Sequence, residues 1–266
     1  MNSQSHLPVF RVDAFVAKGF FGNVACVMPL TEWLDDDQLL RIAADNGVPE
    51  TAYTVKSGSE YQLRWFTPDI EMDLCGHATL ASAHTVLNHL TPQATEVRFS
   101  SASGILTVRK TDDGRLEMDL PSRPPEPAAL PEPIANSINH APIEVLKSRD
   151  YVLVYPDQAT LDDITIDRAE FDQINLGHGG VIVTAPGDNV DFVSRFFTPQ
   201  ATILEDPVTG SAHCSLVPYW HNKTDKTEFE AEQRSARRGQ LHCTLAGNRV
   251  LVRGHSLTFS TSVLNG

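Results

Sequence analysis

Long apolar runs are missing from this chain, and nothing approaches the ~20 apolar residues that cross a bilayer. The opening "MNSQSHLPVF" also lacks the charged start and apolar stretch of a secretory signal. A cytoplasmic protein without a membrane partner is the expectation. Cysteine is scarce too: Cys26, Cys75, Cys214 and Cys243 form no C-x-x-C pair, and none stands with histidine at zinc-finger spacing. Free thiols in a reducing compartment are expected, with no disulfide framework and no resident metal. Positive charge is short as well. The 21 Lys and Arg against 34 Asp and Glu leave a formal net charge of -13, and "RSARR" is the one basic cluster. Such a surface repels phosphate backbones and speaks against nucleic acid as a partner. An anionic small substrate stays open, because the field in a cleft can oppose the net charge.

What is present suits a packed core. Hydrophobic residues make up 41% of 266, enough for one large domain or two ordinary ones. "PVFRVDAFV" alternates as a strand, and "NVACVMPL" is a second apolar run beyond the turn "KGFFGN". "TEWLDDDQLLRIAADNG" reads as a helix with a Thr cap, acids in its first turn and an Asn-Gly stop. "TAYTVKSGSEYQLRWFTP" reads as a hairpin, and "ATLASAHTVLNHL" as an Ala-rich helix. Alternating strands continue through "LEMDLPS". Prolines crowd "RPPEPAALPEPIANS", which predicts a mid-chain linker. Strands return at "YVLVYP", "GGVIVTAP" and "VDFVSRFFTP". "SAHCSLVPYW" suits a helix until Pro218, and alternating strands close the chain. The class is α+β. The expected domains are residues 1–121 and 122–266, with the final strand, about 255–266, a candidate to return to the first.

A repeat supports two similar halves. Phe66-Thr67-Pro68 recurs 131 residues later as Phe197-Thr198-Pro199, and Cys75-Gly76-His77-Ala78 matches Thr209-Gly210-Ser211-Ala212, 134 residues on. In both copies a Gly-containing turn leads into a helix start with unpaired backbone N–H groups. Two such ends facing a shared cleft would bind anionic groups. Taken singly, each is a cap, with Thr209 or Ser211 satisfying backbone donors. The pairing brings the ligand-site reading level with that one.

Cys75 and His77 stand two residues apart at the first of these starts. A thiolate there would suit proton abstraction or attack, although buried cysteines are more often core fillers. As metal ligands they lack further donors at a recognisable spacing. Glu50 in "NGVPETAY" follows a helix stop and a proline, so its backbone is held and its carboxyl group could give and take a proton. Glu205 and Asp206 cap the loop before the second helix, and Asp206 could also touch a ligand.

"DAFVAKGFFGNVACVM", "VPETAY", "LRWFTPDIEMDLCGHATLASAH", "RFFTPQATILEDPVTGSAH" and "QRSARRGQLH" together resemble the PhzF-like, phenazine-biosynthesis isomerase family. The stretches occur in family order and span nearly the whole chain. The resemblance implies the diaminopimelate epimerase fold: two pseudo-symmetric domains, each a barrel-like, mostly antiparallel sheet around a central helix, with the active site between them. It implies an isomerase without metal or organic cofactor, acting on a small carboxylate-bearing substrate, and a homodimer. It places the acid/base on Glu50 and substrate-binding positions on His77, Asp206 and Ser211, beside the amides of Gly76 and Gly210. Related two-cysteine epimerases use a thiol in each half, whereas here Thr209 stands opposite Cys75. One-base proton transfer by Glu50 is therefore expected ahead of epimerisation through Cys75. A third reading is a ligand- or partner-binding protein of the same fold without turnover.

Overall fold

The computed structural model describes residues 6–265. The chain divides into two compact units, Met1–Asp119 with Arg253–Gly266, and Leu120–Val252. Among the described residues no helix is long and apolar enough to cross a membrane.

In the first unit the strand His6–Val16 lies antiparallel to both Asn23–Leu30 and Arg249–Asn265. Asn23–Leu30 runs parallel to Glu50–Ser57, which turns back antiparallel as Glu60–Phe66. That strand is parallel to Glu96–Ser101, which continues antiparallel into Gly104–Lys110 and then Leu116–Pro121. Leu116–Pro121 pairs with Arg249–Asn265 and closes the ring. Period-2 patterning drives these strands inward: Leu116, Met118 and Leu120 are buried, and the residues between them are half-buried. The helix Gly76–Thr85 is buried on all sides except at His84, which only small residues such as Ala78, Ala81 and Ala83 permit. Its buried hydroxyls are satisfied within the helix, since Thr79, Ser82 and Thr85 each donate to the carbonyl four residues back. A π turn over Val86–Leu90 prolongs it. The outer helix Asp36–Asn46 starts at Asp35 rather than at a threonine. Asp35 and Gln38 form a reciprocal capping box, and Gly47 ends the helix in the left-handed region.

The second unit repeats the pairing order. Glu144–Lys147 is antiparallel to Tyr151–Val154, which runs parallel to Val181–Pro186; the next strand, Phe192–Phe197, is antiparallel. Phe192–Phe197 is parallel to Glu228–Gln233, and Gly239–Ala246 follows antiparallel. Both FTP segments leave the corresponding strand, and each is braced by the same pair. The Arg64 guanidinium grips Glu71 through Nε at 2.7 Å and Nη2 at 2.6 Å, and Arg195 grips Glu205 at 2.8 and 3.1 Å. Glu205 is thereby spent on structure, a two-pronged pair that fixes the loop geometry.

Two further sequence expectations change here. The proline-rich segment is not an unstructured linker: Glu126–Pro127 pairs with Leu146 and Lys147, and Glu132–Ser137 is helical. Pro218 also does not end its helix, which runs His213–Thr224. A proline has no N–H to offer the carbonyl four residues back. That carbonyl, on Cys214, instead accepts the Arg123 amide at 2.8 Å, so the gap in the ladder is filled from another segment.

Candidate functional site

Glu50 opens its strand straight after Val48 and Pro49, and His77 occupies the first turn of the buried helix. The fold brings the Glu50 Oε2 and His77 Nε2 atoms to 3.1 Å, with the two side chains 12% and 1% exposed. Neither atom has a well-aligned hydrogen bond, so the pair is close, nearly dry and open to a third group. On the other edge of the ring, Nδ1 lies 2.9 Å from Asn23 Nδ2 and 3.6 Å from Cys75 Sγ. Burial alone would lower the His77 pKa. The adjoining Cys75 sulfur and Glu50 carboxylate outweigh it and hold the imidazole well above its ordinary value. An amide nitrogen can only donate, so the Asn23 Nδ2 contact leaves Nδ1 bare and the proton on Nε2. In the charged ring Nε2 is protonated as well, with the Nδ1 proton facing sulfur or, after a half-turn of the carboxamide, its oxygen. In both states the Nε2 proton faces Glu50.

Asn23 was not legible as a site residue. It is fully buried 54 positions before His77, and the only trace in the sequence is the turn "GFFGN" ahead of it. Asn23→Ala is expected to release the ring and lower kcat by roughly fivefold to tenfold, the worth of one such bond, with little effect on KM. Steady-state kinetics against the wild type would check this.

The second unit places other groups at the matching positions. Strand register sets Gly180 opposite Glu50 in the repeat: Thr51 faces Phe66 as Val181 faces Phe197. A β-carbon at Gly180 would strike the Phe196 ring and the Phe197 carbonyl, so no carboxylate fits there without repacking. Ser211 stands for His77 and Thr209 for Cys75. Neither Cys75 nor Thr209 caps its helix start with its side chain. Thr209 Oγ1 instead donates to Asp206 Oδ2, and Ser211 Oγ lies 3.3 Å from Arg149 Nη2. Gly76 and Gly210 are the buried first residues of the two helical segments. Gln233, fully buried, donates to the Asp206 carbonyl at 2.7 Å and accepts the Thr209 amide at 2.7 Å. It holds the loop that carries Asp206, and nothing in the sequence signals that role.

A family model described as phenazine biosynthesis-like protein matches residues 12–262. The chain belongs to that family. Among its relatives is an uncharacterized isomerase of Pseudomonas aeruginosa, 44% identical over 97% of this chain and 99% of that one. The crystal structure of a PhzF-family phenazine biosynthesis protein from Enterococcus faecalis superposes with a TM-score of 0.90 at 41% identity, covering 98% of this chain and 100% of that one. A hydroxyproline epimerase from Agrobacterium vitis, solved with trans-4-hydroxy-L-proline, shares the fold at a TM-score of 0.63 and 12% identity, over 100% of this chain and 94% of that one. The epimerase-like α+β fold implied by the motifs is thus the fold of this PhzF-family member. With relatives of this identity named isomerases, it is an enzyme of the isomerase class.

His213, in the "GSAH" stretch, gives the second unit a pH-sensitive core. Burial pushes its pKa down to about 4, against a weaker upward pull from the Thr209 carbonyl that its Nδ1 meets at 3.1 Å. The folded state therefore holds the ring neutral while the unfolded chain protonates near pH 6.5. The stabilisation is complete above that pH and is lost as pH falls towards 4. About 2 kcal/mol should disappear between pH 7 and pH 5. Denaturant titrations at the two pH values should show a smaller difference for His213→Gln than for the wild type.

Proposed function

We propose that this isomerase moves a proton within a small, carboxylate-bearing substrate, with Glu50 taking the proton and returning it elsewhere on the same face. The observation that carries the reading is the Glu50–His77 contact at 3.1 Å, nearly excluded from water, in one repeat alone. The other repeat has Gly180, Ser211 and Thr209 at the matching positions, none of which holds a proton balance near neutral pH. A carboxylate facing a histidine proton can alternate between base and acid, worth ~10²–10⁴-fold. The rest must come from binding and charge stabilisation, for which His77, Asp206, Ser211 and the amides of Gly76 and Gly210 are the proposed groups. A cyclic amino or hydroxy acid suits such a set, because a carboxylate attached to a π-system acidifies the neighbouring carbon. A cytoplasmic homodimer belongs to the same proposal.

A second reading, an amino-acid epimerase working through Cys75, draws on the sulfur's place 3.6 Å from His77 Nδ1. It lacks a second thiol where Thr209 stands. The test is incubation in deuterated water with a panel of cyclic amino and hydroxy acids, followed by mass spectrometry. Label entering one or more of these acids supports proton transfer. Acids that bind without exchanging would favour a protein that only binds its ligand. Full exchange in Cys75→Ala would dismiss the epimerase reading.

A further inference from the structure

We propose that Glu50, Cys75 and His77 form a binding site for a thiophilic divalent cation such as Zn²⁺, and that its occupancy reversibly blocks the proton-transfer group. In sequence, Cys75 and His77 are a two-donor fragment. The fold supplies the third donor from 25 residues upstream, and one ligand atom from each residue lies within 4.8 Å of the other two. Four-coordinate zinc with bonds of about 2.0–2.3 Å sets neighbouring ligand atoms roughly 3.3–3.8 Å apart, so the set closes by side-chain rotation, with Cys75 swinging from the Nδ1 edge of the His77 ring towards Nε2.

The second observation is the state of the donor atoms. His77 Nε2 and Glu50 Oε2 are buried, close together and without aligned hydrogen-bond partners. Buried polar atoms left this way favour any group that can satisfy both. A cation does so with opposite charge. A thiolate, an imidazole and a carboxylate make a donor set suited to zinc and poorly suited to magnesium or calcium, which prefer all-oxygen shells. Metal on Nε2 leaves a proton on Nδ1, and the Asn23 carboxamide is placed to receive it, the outer support that metal-bound histidines use. Binding expels the thiol proton and the Nε2 proton of the charged ring and leaves three protein ligands, with a fourth position for water or a substrate carboxylate.

This inference rests on Glu50 being the acid/base for its functional consequence, but not for its chemistry. The test is therefore direct: chelator-treated protein titrated with Zn²⁺ by calorimetry, and with Co²⁺ by absorption. A single ion per chain and a sulfur-to-cobalt charge-transfer band are expected. Cys75→Ala should remove the band and weaken Zn²⁺ by roughly 100-fold, and Glu50→Gln should weaken it less. Absence of binding at millimolar Zn²⁺, or unchanged affinity and band in Cys75→Ala, would overturn the proposal. If that variant does not fold, a wild-type cobalt spectrum without the sulfur band decides against it. Binding without any effect on proton exchange would retain the metal site and reject Glu50 as the base.

Discussion

Glu50→Gln is expected to reduce substrate-dependent deuterium incorporation by ~10²–10⁴-fold while the unfolding free energy stays within about 0.5 kcal/mol of the wild type. The amide matches the carboxylate in shape and its oxygen can face His77 Nε2 as the carboxylate does, so the 3.1 Å approach has no reason to be lost. What it loses is the capacity to take up a proton and return it. His77 cannot substitute, because its ring is enclosed and its Nδ1 edge is already engaged by Asn23. The repeat offers no reserve either, since Gly180 occupies the matching position with aromatic and carbonyl atoms where a side chain would go. Mass spectrometry after exchange in deuterated water, with denaturant unfolding in parallel, reads both halves of the expectation. Wild-type exchange in this variant would remove Glu50 from the mechanism.

Gly22→Ala should lose about 3 kcal/mol or more and lower the thermal midpoint by roughly 10 °C. Gly22 has a φ of 64°, a region that side chains enter at a cost, and a β-carbon there would sit on the Ala14 carbonyl oxygen. That carbonyl cannot move cheaply. Its neighbour Phe15 is itself held at a φ of 61° in a bulge of the first strand, fully buried against Gly254. Gly58 supplies the comparison, with a φ of 62° but open space around it. Gly58→Ala should cost only the backbone strain, about 1 kcal/mol. Equal losses in the two variants, measured by thermal unfolding, would refute the close-approach argument. Because Asn23 is the next residue, Gly22→Ala should also loosen the His77 ring and lower kcat beyond what stability explains.

The strands and the repeat were legible because their code is local. Alternation in "LEMDLP" and the short apolar run in "VIVTAP" need only neighbouring residues, and the FTP and small-Gly segments mark the same path twice. The proline-rich stretch misled for the same reason. Local composition showed what Pro218 and the 124–133 segment deny the backbone, and could not show that Arg123 fills the Cys214 carbonyl or that Glu126–Pro127 finds a strand partner. Candidate residues were named from motifs singly, and the structure sorts them into groups. Glu50, Cys75 and His77 come together, Asp206 with Thr209, and Ser211 with Arg149.

By itself, then, the sequence determined an α+β chain of two similar halves, a net negative charge, and the short list of residues from which the proposed chemistry is drawn. Tertiary structure alone decided that Asn23 reaches His77 across 54 residues, that Gln233 locks the Asp206 loop, and that Glu50 supplies a third donor to a Cys-x-His fragment. The reason is geometric. Periodicity reports which face of an element is apolar, whereas convergence of side chains depends on which distant strands pair, in which direction and in which register. The parallel pairing of Asn23–Leu30 with Glu50–Ser57, beside a helix of small residues, sets Asn23, Glu50 and His77 around one ring.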